Sequence, residues 1–192
     1  MDRLMEIRDE INQIDQKILW ELERRVALTN QVAEIKAETF APVFVPEREA
    51  EIIAGLESGA VDTLRGIVAP VFKTVMRLSR RHQYKVIYDK LQASSFGEQL
   101  EGAVSKVSAV DKGKMPCVEV SFRQHEEVNS FFNILSDYGF YPLEFSLKDK
   151  SGVICRCVFD AMEKDQDREQ MLIQTMYQLC NEFENVRLVG WI

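Results

Sequence analysis

Cysteine, histidine, proline and glycine are all scarce in this 192-residue chain, at four, two, five and nine residues. Cys117, Cys155, Cys157 and Cys180 form no CxxC pair and have no histidine at zinc-ligand spacing, which excludes a recognisable zinc site and predicts reduced thiols. His82 and His125 stand apart from each other and from the cysteines, so each is read as structural rather than as a metal ligand or nucleophile partner. Positive charge is in deficit, with a formal net charge of -7, which argues against a nucleic-acid partner. No apolar run approaches the ~18 residues of a membrane span, and no basic, apolar leader opens the chain. A cytoplasmic protein is the expectation, with neither membrane insertion nor secretion.

Glycine and proline are missing altogether from Leu4 to Glu38, and the residues there recur at helical spacing. Leu4, Ile11, Ile18 and Val32 fall on one heptad row and Ile7, Ile14, Leu28 and Ile35 on the adjacent one, so one face of a single long helix is apolar. Such a rod is roughly 50 Å long, longer than a small domain is wide, and part of its stripe needs a partner to cover it. Arg25 occupies an apolar slot of the first row. An unpaired buried charge costs several kcal/mol, so an anion should meet it.

After a connector from Thr39 to Val45, Pro46 suits the first turn of a second, short helix with Ile52, Ile53 and Leu56 as its apolar face and Gly59 just past its end. Arg48 lies near its N-terminus, where a solvated pair with Glu51 or Glu47 is the local reading. A third helix is predicted from an N-cap at Asp62 to about Tyr88, with Leu64, Val68, Val71, Phe72, Val75 and Met76 as its apolar face, continued by Leu78, Val86 and Ile87. Ser79 and Gln83 interrupt that stripe one heptad after Phe72 and Met76. The local reading is that Ser79 bonds back to its own helix and Gln83 lies at an edge.

Residues 91–116 read as a linker, with a short helical piece over Phe96–Val104. Beyond it the hydrophobic period changes to two. Strands are predicted around Val118–Phe122, Leu143–Leu147, Val153–Phe159 and Val186–Ile192, and helices over Glu127–Tyr138 and Asp167–Glu184, the latter burying Leu172, Met176, Leu179, Cys180 and Phe183. Strand, helix, strand, strand, helix, strand is the ferredoxin-like order. The expectation is two domains: helices over residues 1–90, then a small α+β unit over residues 117–192.

Spacing on the first helix suggests how cations could cooperate. Arg25 and Lys36 are three turns apart and project in nearly the same direction, about 16 Å apart along the axis, so long side chains could bracket a small anion. Arg8 shares the face of Lys36 but lies roughly 42 Å from it along the same helix. In an antiparallel pair of such helices across a twofold axis, Arg8 of one chain arrives near Arg25 and Lys36 of the other. For Arg25 alone, Glu21 offers an i,i+4 pair.

Five segments, in order, resemble an all-helical (class II) chorismate mutase: IRDEINQID with Arg8, ERRVAL with Arg25, VAEIK with Lys36, PVFVPEREAEII with Val45, Arg48 and Glu49, and SRRHQ with Ser79 and Gln83. The resemblance implies an intertwined helical dimer, with three helices per chain, acting on chorismate. It implies that Arg8 of the partner chain, Arg25 and Arg48 bind the substrate carboxylates and that Ser79 adds a hydrogen bond. Lys36 and Gln83 would face the ether oxygen of the breaking bond, and Glu49 would take the substrate hydroxyl with help from the Val45 N–H. Some relatives carry an acidic residue at the position of Val45. The implied rearrangement of chorismate to prephenate is unimolecular and calls for no cofactor or metal. Rivals are an isochorismate pyruvate lyase, on a similar cationic pocket, and a non-catalytic amino-acid sensor on the same scaffold.

Residues 117–192 resemble an ACT domain, and the ending VRLVGWI is similar to the last strand of the module attached to prephenate dehydratases. Where such domains carry a glycine after the first strand, this chain has RQHEEVN, and EFSLKD stands where phenylalanine-sensing members carry an ESRP-like motif. An aromatic amino-acid effector with a changed pocket and a purely assembling role, with sheets pairing into a larger oligomer, are both compatible with these departures.

Overall fold

The computed structural model describes residues 3–64, 66–93, 115–149, 153–159 and 166–191. Three α-helices come first: α1 (Arg3–Thr39), α2 (Pro46–Gly59) and α3 (Val68–Ala93). An α+β part follows, with β1 (Met115–Phe122), α4 (His125–Asp137), β2 (Pro142–Asp149), β3 (Val153–Phe159), α5 (Gln166–Glu182) and β4 (Glu184–Trp191). The predicted elements that fall on described residues are present in the predicted order. The helical piece proposed for Phe96–Val104 lies outside the described residues.

α1 stops where Phe40 turns to φ 55, a left-handed residue that ends a right-handed helix. α2 starts with proline in its first turn after an extended Val45, as expected, and includes Gly59 as its final residue rather than leaving it outside. The third helix begins later than the sequence suggests. Asp62–Leu64 is a single 3-10 turn, and α3 proper starts at Val68. Gly66 intervenes with φ +83, a conformation that cannot propagate a helix, so the chain turns there and Pro70 falls within the first turn of the new helix. At its other end α3 runs past Tyr88 to Ala93, burying Leu91.

The four strands form one antiparallel sheet in the order β2-β3-β1-β4. Val118 lies opposite Cys157 and Val120 opposite Cys155, and these residues turn into a core made with Phe131, Ile134 and Leu135 of α4 and Leu172, Met176 and Leu179 of α5. Gly139, at φ +76, ends α4: its N–H bonds to Ser136 O at 3.0 Å and that of Phe140 to Leu135 O at 2.9 Å. Of the residues expected to be buried on the last helix, Cys180 is half-exposed, as is Phe183, which lies one residue past the end of α5.

The core does not end at the sheet's helices. Tyr84, Ile87, Tyr88 and Leu91 of α3 and Ala33 of α1 belong to the same buried cluster, and Tyr84 meets Tyr177 of α5 edge-on with centroids 5.8 Å apart. Arg77 fastens the junction through an ion pair with Asp137 and a hydrogen bond to Asn133 O at 3.1 Å. α1 is different. Thr29 and Ala33 are its only buried residues, and Leu4, Ile7, Ile11, Ile14, Ile18, Leu28, Val32 and Ile35 all lie open. The apolar stripe is therefore uncovered within one chain.

Candidate active site

α1, α2 and α3 bring part of the predicted set together. Arg25 and Ser79, 54 residues apart, are joined by a hydrogen bond from Arg25 Nη1 to Ser79 Oγ. Ser79 also donates to Val75 O at 2.7 Å, so its back-bond to α3 and its contact with the cation coexist: the hydroxyl spends its proton on the helix and offers a lone pair to Arg25. Glu21 does not take Arg25. Its ion pair is with Arg24, at 3.6 Å on the exposed side, and no carboxylate pairs directly with Arg25 among the described residues.

Lys36 sits at the other end of the same helix face, half-exposed, with Nζ donating to Val43 O at 3.0 Å. Burial lowers the pKa of both Arg25 and Lys36, and the carboxylate of Glu49 partly offsets the shift in each case. Glu49 is thus close enough to act on two cations three turns apart. Both cations are partly stripped of water and, among the described residues, bonded only to neutral oxygens, so an anionic ligand would gain from each.

Gln83 is buried on α3, and its Oε1 has no partner among the described residues. A buried carboxamide end left unpaired costs about 1–3 kcal/mol. Rotation of the amide by half a turn exchanges its donor and acceptor ends, so this group can present either to a ligand. Val45 caps α2 through its carbonyl, which accepts the Glu49 N–H at 3.2 Å.

Two predicted residues stand apart from this group. Arg48 points outward and pairs with Glu51 at 3.4 Å, with both side chains 69% exposed, the solvated pairing its position at a helix start suggested. Arg8 is exposed near the beginning of α1, 17 residues and almost five turns before Arg25, the nearest other predicted site residue on that helix. Among the described residues neither one is in contact with Arg25 or Lys36.

Arg25 and Ser79 line a cavity of about 830 Å³ between α1, α3 and α5, with Arg81, His82 and Lys85 also in its wall and no acidic residue among the described residues that line it. Lys36, Glu49 and Gln83 lie outside it. Its α1 wall includes Leu22 and Val26, which are open to solvent.

Arg80 is the residue that pattern reading passed over. It follows Ser79, is 6% exposed, and forms ion pairs with both Glu49 and Glu182. The available signal was its position four residues after Met76 and four before Tyr84, both buried, which places it on the inner stripe of α3.

A family profile described as chorismate mutase type II matches residues 7–84, the stretch that contains Arg8, Arg25, Lys36, Val45, Arg48, Glu49, Ser79 and Gln83. A bifunctional chorismate mutase/prephenate dehydratase from Aquifex aeolicus (strain VF5) is 46% identical over 52 residues, 27% of this chain and 14% of that protein. The T-protein of Enterobacter agglomerans is 35% identical over 78 residues, 40% of this chain and 21% of its own length. The T-protein of Haemophilus influenzae (strain ATCC 51907 / DSM 11121 / KW20 / Rd) is 31% identical over 85 residues, 44% and 22%. The chain thus spans less than a quarter of the length of each of these relatives, and no solved structure matches it. Among the described residues no helix is long and apolar enough to cross a membrane. The profile match and these relatives fall on the same helices that carry the site, so residues 7–84 are similar to a chorismate mutase type II domain.

Proposed function

We propose that the chain is a chorismate mutase, an isomerase that rearranges chorismate to prephenate in aromatic amino-acid biosynthesis in the cytoplasm. The carrying observation is the pair of partly desolvated cations on α1, Arg25 and Lys36, both within the field of Glu49 and neither ion-paired directly among the described residues. The rearrangement is intramolecular: one C–O bond breaks as one C–C bond forms, with no nucleophile or proton transfer. Holding the flexible dianion in a compact reactive shape supplies several kcal/mol, and fixed donors stabilise the negative charge that grows on the ether oxygen.

In this reading Arg25 and Arg48 grip carboxylates, as guanidinium forks do, and Ser79 orients Arg25 and contributes a hydrogen bond. Lys36 and Gln83 face the ether oxygen. Glu49 accepts from the substrate hydroxyl, supported by the Val45 backbone. Arg8 serves the second chain of a homodimer. The open apolar stripe of α1 favours that assembly, since a second copy of the same helix is a self-complementary cover for it. Residues 1–90 then act as the mutase unit, joined by residues 91–116 to an ACT-like unit of ferredoxin-like topology over residues 117–192, which either binds an aromatic amino acid or supports further assembly. The sheet order β2-β3-β1-β4 supports this topology.

The test is to follow chorismate loss and identify the product, with and without phenylalanine, tyrosine or tryptophan. Prephenate is expected, and its absence refutes the mutase reading. Pyruvate released from isochorismate instead would favour the lyase, and effector binding without turnover would favour a sensor.

A further inference from the structure

Arg80 has no role in the reaction proposed above, yet its side chain is 7% exposed and bridges the two parts of the chain. Its Nη1 donates to Glu49 Oε1 on α2, and its Nε donates to Glu182 Oε1 on α5 at 3.0 Å. The guanidinium carbon lies 4.4 Å from the ring centroid of Phe44, in the connector before α2. Glu182 is the last residue of α5, and its side chain is 2% exposed. The same Glu182 oxygen accepts Gln178 Nε2 at 2.9 Å, and Gln178 Oε1 accepts the hydroxyl of Tyr138, at the end of α4, also at 2.9 Å. A continuous polar chain therefore runs from Tyr138 through Gln178, Glu182 and Arg80 to Glu49, in a region otherwise packed with apolar groups.

The geometry of the guanidinium makes this more than a tether. The group is planar and rigid, so fixing Nε on Glu182 and the face on Phe44 leaves Nη1 one direction in which to point. Nη1 then holds one oxygen of Glu49 and leaves the other for a ligand. Burial pushes the Glu182 carboxyl up, opposed by Arg80 and Gln178, so the carboxylate depends on Arg80 for its charge as Arg80 depends on it for orientation.

We propose that Arg80 is a positioning residue for Glu49 and that Glu182 sets it, so that the seating of α5 on α3 determines where a carboxylate of the mutase site stands. This rests on the mutase reading for its effect on turnover, but the tether itself does not. Movement of α5 would be transmitted to Glu49 through one side chain, which gives the C-terminal unit a direct route to the site whatever displaces it.

The test compares Glu182→Gln, which keeps an acceptor for Arg80, with Arg80→Met/Glu182→Met, which removes both buried charges and leaves neither unpaired. Each is made in the full chain, with and without Glu49→Gln. The double substitution is expected to lower kcat about tenfold with KM within about twofold, because a misplaced hydroxyl acceptor loosens the reactive shape while the arginines still bind. Glu182→Gln should stay near wild type. In the Glu49→Gln background the double substitution should have no further effect, the non-additivity of groups that act through one another. An unchanged kcat, or an equal drop with and without Glu49, overturns the proposal.

Hydrogen exchange of the α2 amides supplies a readout independent of turnover. Faster exchange is expected in the double variant and a wild-type pattern in Glu182→Gln. If the wild-type chain leaves chorismate intact, the mutase reading fails and the exchange pattern decides alone, with unchanged exchange in the double variant overturning the tether.

Discussion

Replacing Lys36 with alanine separates catalysis from stability most sharply. Among the described residues Lys36 makes one hydrogen bond, to Val43 O at 3.0 Å, and it is only half-exposed. A hydrogen bond to a charged group is worth about 1.5–3 kcal/mol, but this lysine already gives up hydration on burial, which lowers its pKa. Removing it therefore returns part of that cost, and a net loss of about 1 kcal/mol is expected, or about 2–4 °C in Tm for a chain of this size. Removing a fixed donor to charge that develops in the transition state costs far more, about 3–4 kcal/mol, or 100- to 1000-fold in rate. The assay is initial-rate chorismate consumption at saturating substrate, beside a thermal melt of the same preparation. A folded Lys36→Ala protein with kcat within tenfold of wild type would refute the assignment, and equal losses in both measurements would refute the argument that Lys36 is held for chemistry.

Subunit sharing has its own signature: Arg8→Ala and Lys36→Ala should each be inactive, yet mixing and re-equilibrating the two should recover about a quarter of wild-type activity, since half of the dimers are mixed and each has one intact site. No recovery after demonstrated subunit exchange would argue that Arg8 acts within its own chain or not at all. Asp137→Ala should lose about 2 kcal/mol of stability in urea denaturation, because Arg77 then keeps only Asn133 O in a junction where both charges are largely buried; a loss under 0.5 kcal/mol would mean that water replaces the carboxylate. Burial pushes the Cys155 thiol up to about 11 and that of Cys157 to about 12, so both remain protonated at pH 8. Iodoacetamide should then label half-exposed Cys180 first in the native protein, and early modification of Cys155 or Cys157, read by peptide mass, would contradict the packing of β3.

Periodicity made α1 legible from end to end, because 35 residues without a breaker leave little room for another structure. Its open stripe was legible too, as apolar length beyond what one small domain can cover. The change to period two marked the strands for the same reason: each has one face on a core. The start of α3 was harder, since Asp62 has the chemistry of a cap while the decisive feature is the left-handed Gly66 four residues on. Arg25 and Ser79 could be placed on interrupted stripes, but not joined, as their contact spans 54 residues. Arg80 escaped for a related reason. A cation between Ser79 and Arg81 reads locally as solvated, and the carboxylate that buries it, Glu182, comes 102 residues later.

The tyrosines and leucine near the end of α3 also bear on how the molecule denatures. Tyr84, Tyr88 and Leu91 are finished on one side by α1 and on the other by the sheet's helices, so neither part can melt without stripping apolar cover from the other. Heat or urea should therefore produce a single unfolding transition. A fragment ending at Ala93 should be sticky and readily degraded, even though it would contain every residue assigned to the reaction.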